Sequence, residues 1–281
     1  MRFSFLVVVL IFFFALSRVI FPSSFKVVFF DVGQGNSTLI ETPRGFQVLI
    51  DGGPSSRIVS LLGQELPFYD RHLNLVVLTH SDRDHLYGLL EVIKRYRIDR
   101  LMLTSMEGET QLLEQFRRLV AAKGIPIEVA SARSDFTVEG VRFDFLHPGL
   151  QEIERGEASD NDLSLVLWVN YQSGDFLFMG DASSKVEERR EIPWPDVEVL
   201  QVAHHGSGSS TSSFFLQQTT PSLAVVSVGK NSYGHPSPAV LDRLEAFKVR
   251  TVRTDQSGTI RLFMRDNRIR VETEKKVGEK R

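Results

Sequence analysis

Residues 73–85 read Leu-Asn-Leu-Val-Val-Leu-Thr-His-Ser-Asp-Arg-Asp-His. The first six are the near-continuous apolar run of a strand buried on both faces. Thr79 and His80 then leave the strand, and His80, Asp82, Asp84 and His85 place four potential metal ligands within six positions. Loops at strand ends are where functional groups collect. Imidazole nitrogen with carboxylate oxygen suits zinc, manganese or iron. With this spacing His80 and Asp82 can face one ion while Asp84 and His85 face a second one turn away. The competing reading is an N-cap aspartate and two surface histidines at a helix start. It accounts for one of the four residues, so the stretch is read as a metal site.

Outward from it, the pattern is strand and turn. Strands are expected at 25–32, 37–41, 46–50 and 73–78. A helical pattern covers 86–95 and a short strand 101–104. Leu112, Leu113, Phe116, Leu119 and Val120 share one face of a helix over 111–123, with Thr110 as N-cap and Gly124 as its end. Further strands are expected at 126–130, 135–138, 141–146, 163–171, 175–179, 197–203, 223–228, 249–254, 259–264 and 268–273. A helix over 237–247 opens on Ser237-Pro238. Two β-rich halves with interspersed helices imply two packed sheets flanked by helices. Residues 25–273 read as one domain, and 274–281 as a charged, frayed tail.

Two more buried strands end in polar groups: Phe176–Asp181 (FLFMGD) in a carboxylate, Val199–Gly206 (VLQVAHHG) in paired histidines. Either alone is weak. Together with the first cluster they supply the bridging carboxylate and extra ligands that two ions about 3.5–4 Å apart require. His72 and His147 lack such context and read as structural.

Composition bounds the chemistry. The chain has 281 residues and no cysteine, which excludes a thiolate zinc site, a cysteine nucleophile and a disulfide framework. Formal net charge is −2, so any nucleic-acid binding must rely on local charge or on metal ions. Residues Phe3–Ser17 are uncharged and mostly apolar between Arg2 and Arg18. Residues 1–22 therefore read as a signal peptide or an uncleaved membrane anchor rather than a buried element, with the rest exported. They carry two arginines and no acid, so the remainder has a formal charge of −4.

The order Asp31–Gly35 (DVGQG), Leu49–Gly53 (LIDGG), His80–His85, Asn161–Leu167 (NDLSLVL), Gly180-Asp181, His204–Ser207 (HHGS), Tyr233–Pro236 (YGHP) and Thr254–Ile260 (TDQSGTI) resembles the metallo-β-lactamase superfamily. Within it the chain resembles the C-terminal hydrolase domain of ComEC-type competence DNA channels and its stand-alone relatives. The resemblance implies an α/β fold, a four-layer αβ/βα sandwich with the site at one edge of the sheets. It implies that His80 and Asp82 hold one divalent ion, Asp84 and His85 a second, that Asp181 bridges them, and that one of His204 and His205, with His205 favoured, completes the second. Two departures from the wider superfamily stand out: Asp82 where histidine is common, and Asn161 where a ligand histidine is common. The first ion's site is thus richer in oxygen, which favours manganese beside zinc.

Asp51 would orient a ligand from behind, or is simply a turn residue, and Asn161 would act at the same remove. Glycines 33, 35, 52 and 53 permit tight turns near the site. His235 would contact substrate, donate a proton or ligate metal, or is a plain loop histidine. The implied chemistry is hydrolysis by metal-activated water, with Asp84 in the catalytic centre and His204 or His235 protonating the leaving group. The expected substrate is DNA or another phosphodiester, with a small phosphoester, ester or lactone as alternative, and a non-catalytic exported binding module as a third reading. No protein partner is inferable. Candidate cations for a DNA groove are Lys94, Arg95, Arg97, Arg100, Arg117, Arg118 and Lys123, most of which read rather as solvated helix faces. The sequence lacks the multi-spanning region of a competence channel, so it is not expected to form the DNA pore itself; assisting one, scavenging nucleotides outside the cell, or neither, all stay open.

Overall fold

The chain is described here by a computed structural model over residues 24–104, 108–155 and 159–275. Strand β1 (Phe25–Phe29) shows why the runs are mostly apolar, with Lys26 paired to Glu41. Phe25, Val27 and Phe29 face one core, while Val28 faces another on the opposite side of the sheet. An antiparallel meander follows with β2 (Thr38–Glu41) and β3 (Gln47–Ile50). Helix α1 (Arg57–Glu65) leads to the short β4 (His72–Leu73) and to β5 (Leu75–Leu78), which runs parallel to β3. Then come α2 (Arg83–Arg95), the short β6 (Arg97–Ile98), β7 (Leu101–Leu103), α3 (Gln111–Lys123) and β8 (Ile127–Val129), with β7 and β8 continuing the parallel pairing.

The second half repeats the plan. β9 (Phe136–Val138), β10 (Val141–His147), β11 (Val166–Tyr171) and β12 (Gly174–Phe178) are antiparallel, with α4 (Leu150–Arg155) between β10 and β11. After α5 (Ser184–Glu187), the strands β13 (Val199–Gln201), β14 (Leu223–Val226) and β15 (Arg250–Arg253) add in parallel, joined by α6 (Ser213–Thr219) and α7 (Pro238–Ala246). A turn of helix, α8 (Thr254–Ser257), sends β16 (Ile260–Arg265) and β17 (Arg268–Thr273) back beside β1. The sheets run β17-β16-β1-β2-β3-β5-β7-β8 and β15-β14-β13-β12-β11-β10-β9, with β4 and β6 forming a separate pair.

The sheets meet face to face. Phe25 packs on Phe176 and Phe29 on Phe178, with ring centroids 5.4 and 6.0 Å apart. Leu62, Leu86, Leu89 and Phe116 from α1, α2 and α3 cover the outside of the first sheet. Val186, Phe215, Leu216, Val240 and Leu244 from α5, α6 and α7 cover the second. The result is the four-layer αβ/βα sandwich.

Some boundaries differ from expectation for physical reasons. α2 starts at Arg83 rather than 86, because Asp82 takes the extended N-cap conformation (φ −63°, ψ 148°) and the first turn is polar. The expected strand 73–78 splits at Asn74, whose side chain accepts from the Gln47 N–H. Helices α4, α5, α6 and α8 span seven residues or fewer, too short for a 3.6-residue period to show. α3 has the expected ends: Thr110 Oγ1 accepts from the Leu113 N–H at 3.2 Å, and Gly124 is left-handed at φ 61°. The start of the tail is pinned rather than frayed. Glu274 N–H donates to the Thr259 carbonyl (3.0 Å), and the Glu274 carboxylate accepts from the Thr259 N–H (3.0 Å). Among the described residues no helix is long and apolar enough to cross a membrane. The apolar segment within residues 1–22 lies outside them, as do residues 276–281.

Two details fix the site's surroundings. Gly52 and Gly88 touch: a Cβ on Gly88 would lie 1.8 Å from the Gly52 carbonyl oxygen, and one on Gly52 would lie 2.4 Å from the Leu89 nitrogen. At Gly52 the requirement is therefore close approach between the β3 loop and α2, not a turn conformation. In the second half, the buried Glu187 carboxylate accepts the N–H groups of Thr211 (2.5 Å) and Ser212 (2.6 Å), holding the loop that follows His204-His205. Arg243 ties the same loop through the Ser210 and Thr211 carbonyls.

Gly88→Ala is expected to lower stability by roughly 2–5 kcal/mol, since helix and loop must separate. Thermal melts of the variant test this, and an unchanged midpoint would contradict it. Burial pushes the Glu187 carboxyl from 4.5 up to about 7, against the pull of its two backbone donors. A folded-state value above the unfolded one means the folded state binds the extra proton. Its stabilising contribution is full below pH 4.5 and disappears as pH rises through about 7. Relative to Glu187→Gln, the wild type is expected to lose about 3 kcal/mol over that range. Parallel pH dependence of the two melting midpoints would refute it.

Candidate metal centre

The site lies where parallel strands end. β3 delivers Asp51, β5 delivers Thr79 and His80, β12 delivers Asp181, and β13 leads to His204 and His205. Crevices at the carboxyl ends of parallel strands expose backbone and side chains that the sheet itself does not use. α2 begins at the same edge, so Asp84 and His85 stand in its first turn. The two sheets thus contribute to one cluster: His80 Nε2 is 3.9 Å and His85 Nε2 3.2 Å from Asp181 carboxylate oxygens.

Each central histidine is held by its other nitrogen. His85 Nδ1 lies 2.7 Å from Asp51 Oδ2. His205 Nδ1 lies 2.8 Å from the Ser227 carbonyl. His80 Nδ1 lies 3.0 Å from Thr79 Oγ1, whose own proton goes to Asp51 Oδ2 at 2.9 Å. All three partners accept, so all three Nδ1 atoms carry the proton and all three Nε2 lone pairs point into the cluster. There they meet carboxylates: His205 Nε2 is 3.1 Å from Asp84 Oδ2 and 3.7 Å from Asp181 Oδ2. His80 Nε2, His85 Nε2 and Asp181 Oδ1 are buried without a hydrogen-bond partner. Lone pairs converging from imidazole and carboxylate in a buried place are satisfied by a cation. His80, His85 and Asp181 form one group able to hold a metal ion, and Asp84, His85 and His205 another, each with ligand atoms within 4.8 Å of one another. The donor set fits hard or borderline divalent ions.

The electrostatics agree. Burial alone would raise the Asp181 carboxyl and lower His85. Instead His85, His205 and His80 hold Asp181 well below the usual carboxylate range, and Asp181 with Asp51 holds His85 well above the usual imidazole value. Burial opposes ionisation of Asp84 too, yet His205 and His85 bring it down to about 2. His205 is raised by Asp181 and Asp84 against its burial. Such a cluster demands positive charge, for which protons and a divalent ion compete.

The remaining residues lie around this centre. Asp82 is exposed at the α2 N-terminus, with Oδ2 3.6 Å from His80 Nε2. Asp51 is buried at φ 58° and also accepts from the Thr79 N–H at 2.8 Å, so it is both a turn residue and the support of His85. His204 is partly exposed, its Nε2 3.7 Å from Asp181 Oδ2 and its ring edge-on to His235 at 5.6 Å. Burial lowers both His204 and His235, and for His235 the neighbouring His204 and His205 lower it further. His204 and His205 are both left-handed, at φ 49° and 54°, strain of the kind stored at functional sites. Asn161 sits in a single 3-10 turn (Asn161–Leu163) and offers its carbonyl to the Ser164 N–H. The segment reaches the cluster through Ser164, whose Oγ accepts from the Asp181 N–H at 3.1 Å. His147 anchors that segment, its Nε2–H donating to the Asp162 carbonyl at 2.7 Å, and His72 pairs with Asp99 at 2.7 Å away from the cluster.

Sequence reasoning passed over Thr79, Ser164, Ser227 and Asn36. The first three act through hydroxyl or carbonyl oxygens that no spacing marks. Asn36 is buried with neither end of its amide hydrogen-bonded, while its N–H donates to the Asp84 carbonyl at 3.2 Å. Six of the seven candidate groove cations are paired locally: Lys94 and Arg95 with Glu91, Arg97 with Asp99, Arg100 with Glu128, and Arg117 and Arg118 with Glu114, while Lys123 is exposed at the end of α3.

Comparison with known proteins agrees with this geometry. The chain is 31% identical over 256 residues to ComE operon protein 3 of Bacillus subtilis, covering 84% of this chain and 32% of that protein. It is 30% identical over 277 residues to Recombination protein 2 of Haemophilus influenzae, covering 97% of this chain and 33% of that protein. The chain therefore spans about a third of the length of these relatives. Among solved structures, the metallo-beta-lactamase fold protein YhfI from Bacillus subtilis superposes with a TM-score of 0.56 at 11% identity, over 84% of this chain and 99% of that one. Residues 30–230 match the family profile described as the metallo-beta-lactamase superfamily, and the chain belongs to that superfamily.

Proposed function

We propose that the protein is an exported, metal-dependent phosphodiesterase that acts on DNA. The observation that carries the hydrolytic reading is the convergence of three buried Nε2 lone pairs on Asp181 and Asp84, with His80 Nε2, His85 Nε2 and Asp181 Oδ1 lacking any hydrogen-bond partner. The phosphodiester reading draws on the relatives, whose names speak of competence and recombination. His80 and Asp82 would hold one divalent ion and Asp84, His85 and His205 a second, with Asp181 available to both. Ions bound there supply Lewis acidity, lowering the pKa of water and offsetting charge on the attacked phosphorus. The oxygen-rich side at Asp82 favours manganese over zinc.

The chain's own groups do the rest. Asp51 fixes the ring of His85, and Ser227 that of His205, so neither ligand pays for reorientation. His204 presents Nε2 at the exposed rim, where it would protonate the leaving oxygen, with His235 edge-on beside it as the alternative donor. Export through residues 1–22, as signal or anchor, would set this chemistry outside the cytoplasm.

One observation favours a second reading, hydrolysis of a small phosphoester, ester or lactone. Most of the cations that could have lined a long DNA groove, Lys94, Arg95, Arg100, Arg117 and Arg118 among them, are paired off by neighbouring acids.

The purified protein, metal-free and with added manganese or zinc, is to be assayed on single-stranded DNA, duplex DNA and bis-p-nitrophenyl phosphate. Metal-dependent cleavage of DNA is expected. Residues that merely hold a ligand are worth about 10- to 100-fold, so Asp51→Asn should lose roughly that much and Asp84→Ala at least about 100-fold. Cleavage of the small diester alone would move the assignment to the second reading. Absence of metal-dependent hydrolysis on all three would refute the phosphodiesterase.

A further inference from the structure

Beside Asp84 opens a cleft of about 610 Å³ lined by Gln34, Pro54, Arg83, Asp84, Lys230, Asn231, Ser232 and Tyr233. Its two cations are far apart in sequence, Arg83 opening α2 and Lys230 on the loop after β14. Both are exposed, and neither has a carboxylate at ion-pair distance among the described residues. This sets them apart from Lys94, Arg95, Arg117 and Arg118 on the outer helices, which are paired with Glu91 or Glu114. Arg83 is held in place by its guanidinium lying over the Tyr87 ring, 4.4 Å from the centroid.

Tyr233 is 75% exposed and is the one large exposed aromatic or aliphatic side chain that lines this cleft among the described residues. Burial gives no reason for an aromatic ring there. Its loop is nonetheless built rigidly. Asn231 Oδ1 accepts the N–H groups of Tyr233 (3.1 Å) and His235 (3.0 Å), while Asn231 Nδ2 donates to the Gly229 and His235 carbonyls at 2.9 and 2.8 Å. The Gly229 N–H in turn donates to Gln34 Oε1 at 3.2 Å, closing the cleft floor. An exposed aromatic ring on a hydrogen-bonded loop, two unpaired cations and a candidate metal-ligand carboxylate within one cleft are the elements of a single-strand nucleic-acid track. Cations follow the phosphates and the ring takes a base face. A duplex buries its base faces in the stack and leaves nothing for Tyr233 to cover.

We propose that this cleft binds a single-stranded nucleic-acid chain, with Arg83 and Lys230 on backbone phosphates and Tyr233 stacked on a base next to the scissile position. The inference rests on the phosphodiester reading of the metal centre and adds the strandedness of its substrate. Tyr233 is a specificity residue, separate from the metal-ligand set.

The test separates binding from cleavage. Fluorescein-labelled oligothymidine and an abasic deoxyribose-phosphate chain of equal length are titrated by anisotropy into the full-length protein in EDTA. Manganese is then added and cleavage followed. The wild type is expected to prefer the base-bearing chain. Tyr233→Ala should weaken that chain by about 5- to 150-fold, the worth of one stacked base, and erase the preference, while Tyr233→Phe keeps it within about twofold. Arg83→Gln and Lys230→Gln should weaken both chains alike, each flattening the log–log salt slope by about 0.7. Equal behaviour of the Ala and Phe variants, or no preference in the wild type, would overturn the proposal. Binding with the expected Tyr233 pattern but no cleavage on adding manganese would leave the track standing and remove the hydrolase reading instead.

Discussion

The Asp51 carboxylate accepts three protons at once, from the Thr79 N–H, the Thr79 hydroxyl and His85 Nδ1. It is 1% exposed. A carboxylate so deep is tolerated only when its lone pairs are filled. Its three donors are the end of β5 and the first turn of α2, so one group at the end of β3 fixes where the strand stops and how the helix starts. The same bonds set the tautomer of His85 directly. They set that of His80 through Thr79, whose hydroxyl, having given its proton to Asp51, accepts from His80 Nδ1. The orientation of the cluster's lone pairs therefore follows from one buried charge.

The second sheet answers with backbone geometry rather than charge. Gly180 at φ 52° turns Asp181 toward the first sheet, and its carbonyl accepts the His204 N–H at 3.0 Å. Two consecutive left-handed histidines are costly, roughly 1–3 kcal/mol each. They hold because the Ser227 carbonyl, just past β14, grips His205 and because Glu187 and Arg243 clamp the following loop. The Gly206 position allows Pro236 to come within 2.6 Å of where a Cβ would sit, which brings the His235 loop over the site. The cluster is thus assembled from two half-folds of like design, each an antiparallel meander continued by parallel strands, meeting at the edge where the parallel strands end.

Much of this was legible in the sequence because the ligands are crowded: four in six positions after an apolar run, then a lone Asp and a His pair after two others. The layering was legible too, since runs such as FKVVFF are apolar on both faces only when a sheet is covered on both. What stayed hidden has common physical causes. The start of α2 was masked by its own ligands, because a first turn of Arg83, Asp84 and His85 carries no apolar period. Asp51 could be read as turn or support, and is both, since a left-handed residue can still aim its carboxylate inward. Gly52 reads as a turn until Gly88 is found against it. Thr79, Ser164 and Ser227 contribute single oxygens whose role depends on which strand lies next to which. Arg83 and Lys230 are 147 positions apart in the chain and become neighbours only through the fold. Conversely, the basic clusters that sequence singles out, such as Lys94–Arg95, spend their charge on Glu91 one turn away.

Everything chemical in this protein follows if the converging nitrogens and carboxylates are ligands. Crystals of the manganese-loaded protein, measured at the manganese absorption edge, decide this directly. Two anomalous peaks are expected, one within about 2.0–2.3 Å of His80, Asp82 and Asp181 ligand atoms and one within that distance of Asp84, His85, Asp181 and His205. A single peak on either ligand group would refute the paired-ion arrangement while keeping the site. No peak at the cluster, with His85 instead bonded to Asp181 through a proton, would contradict the assignment of these residues as a metal centre.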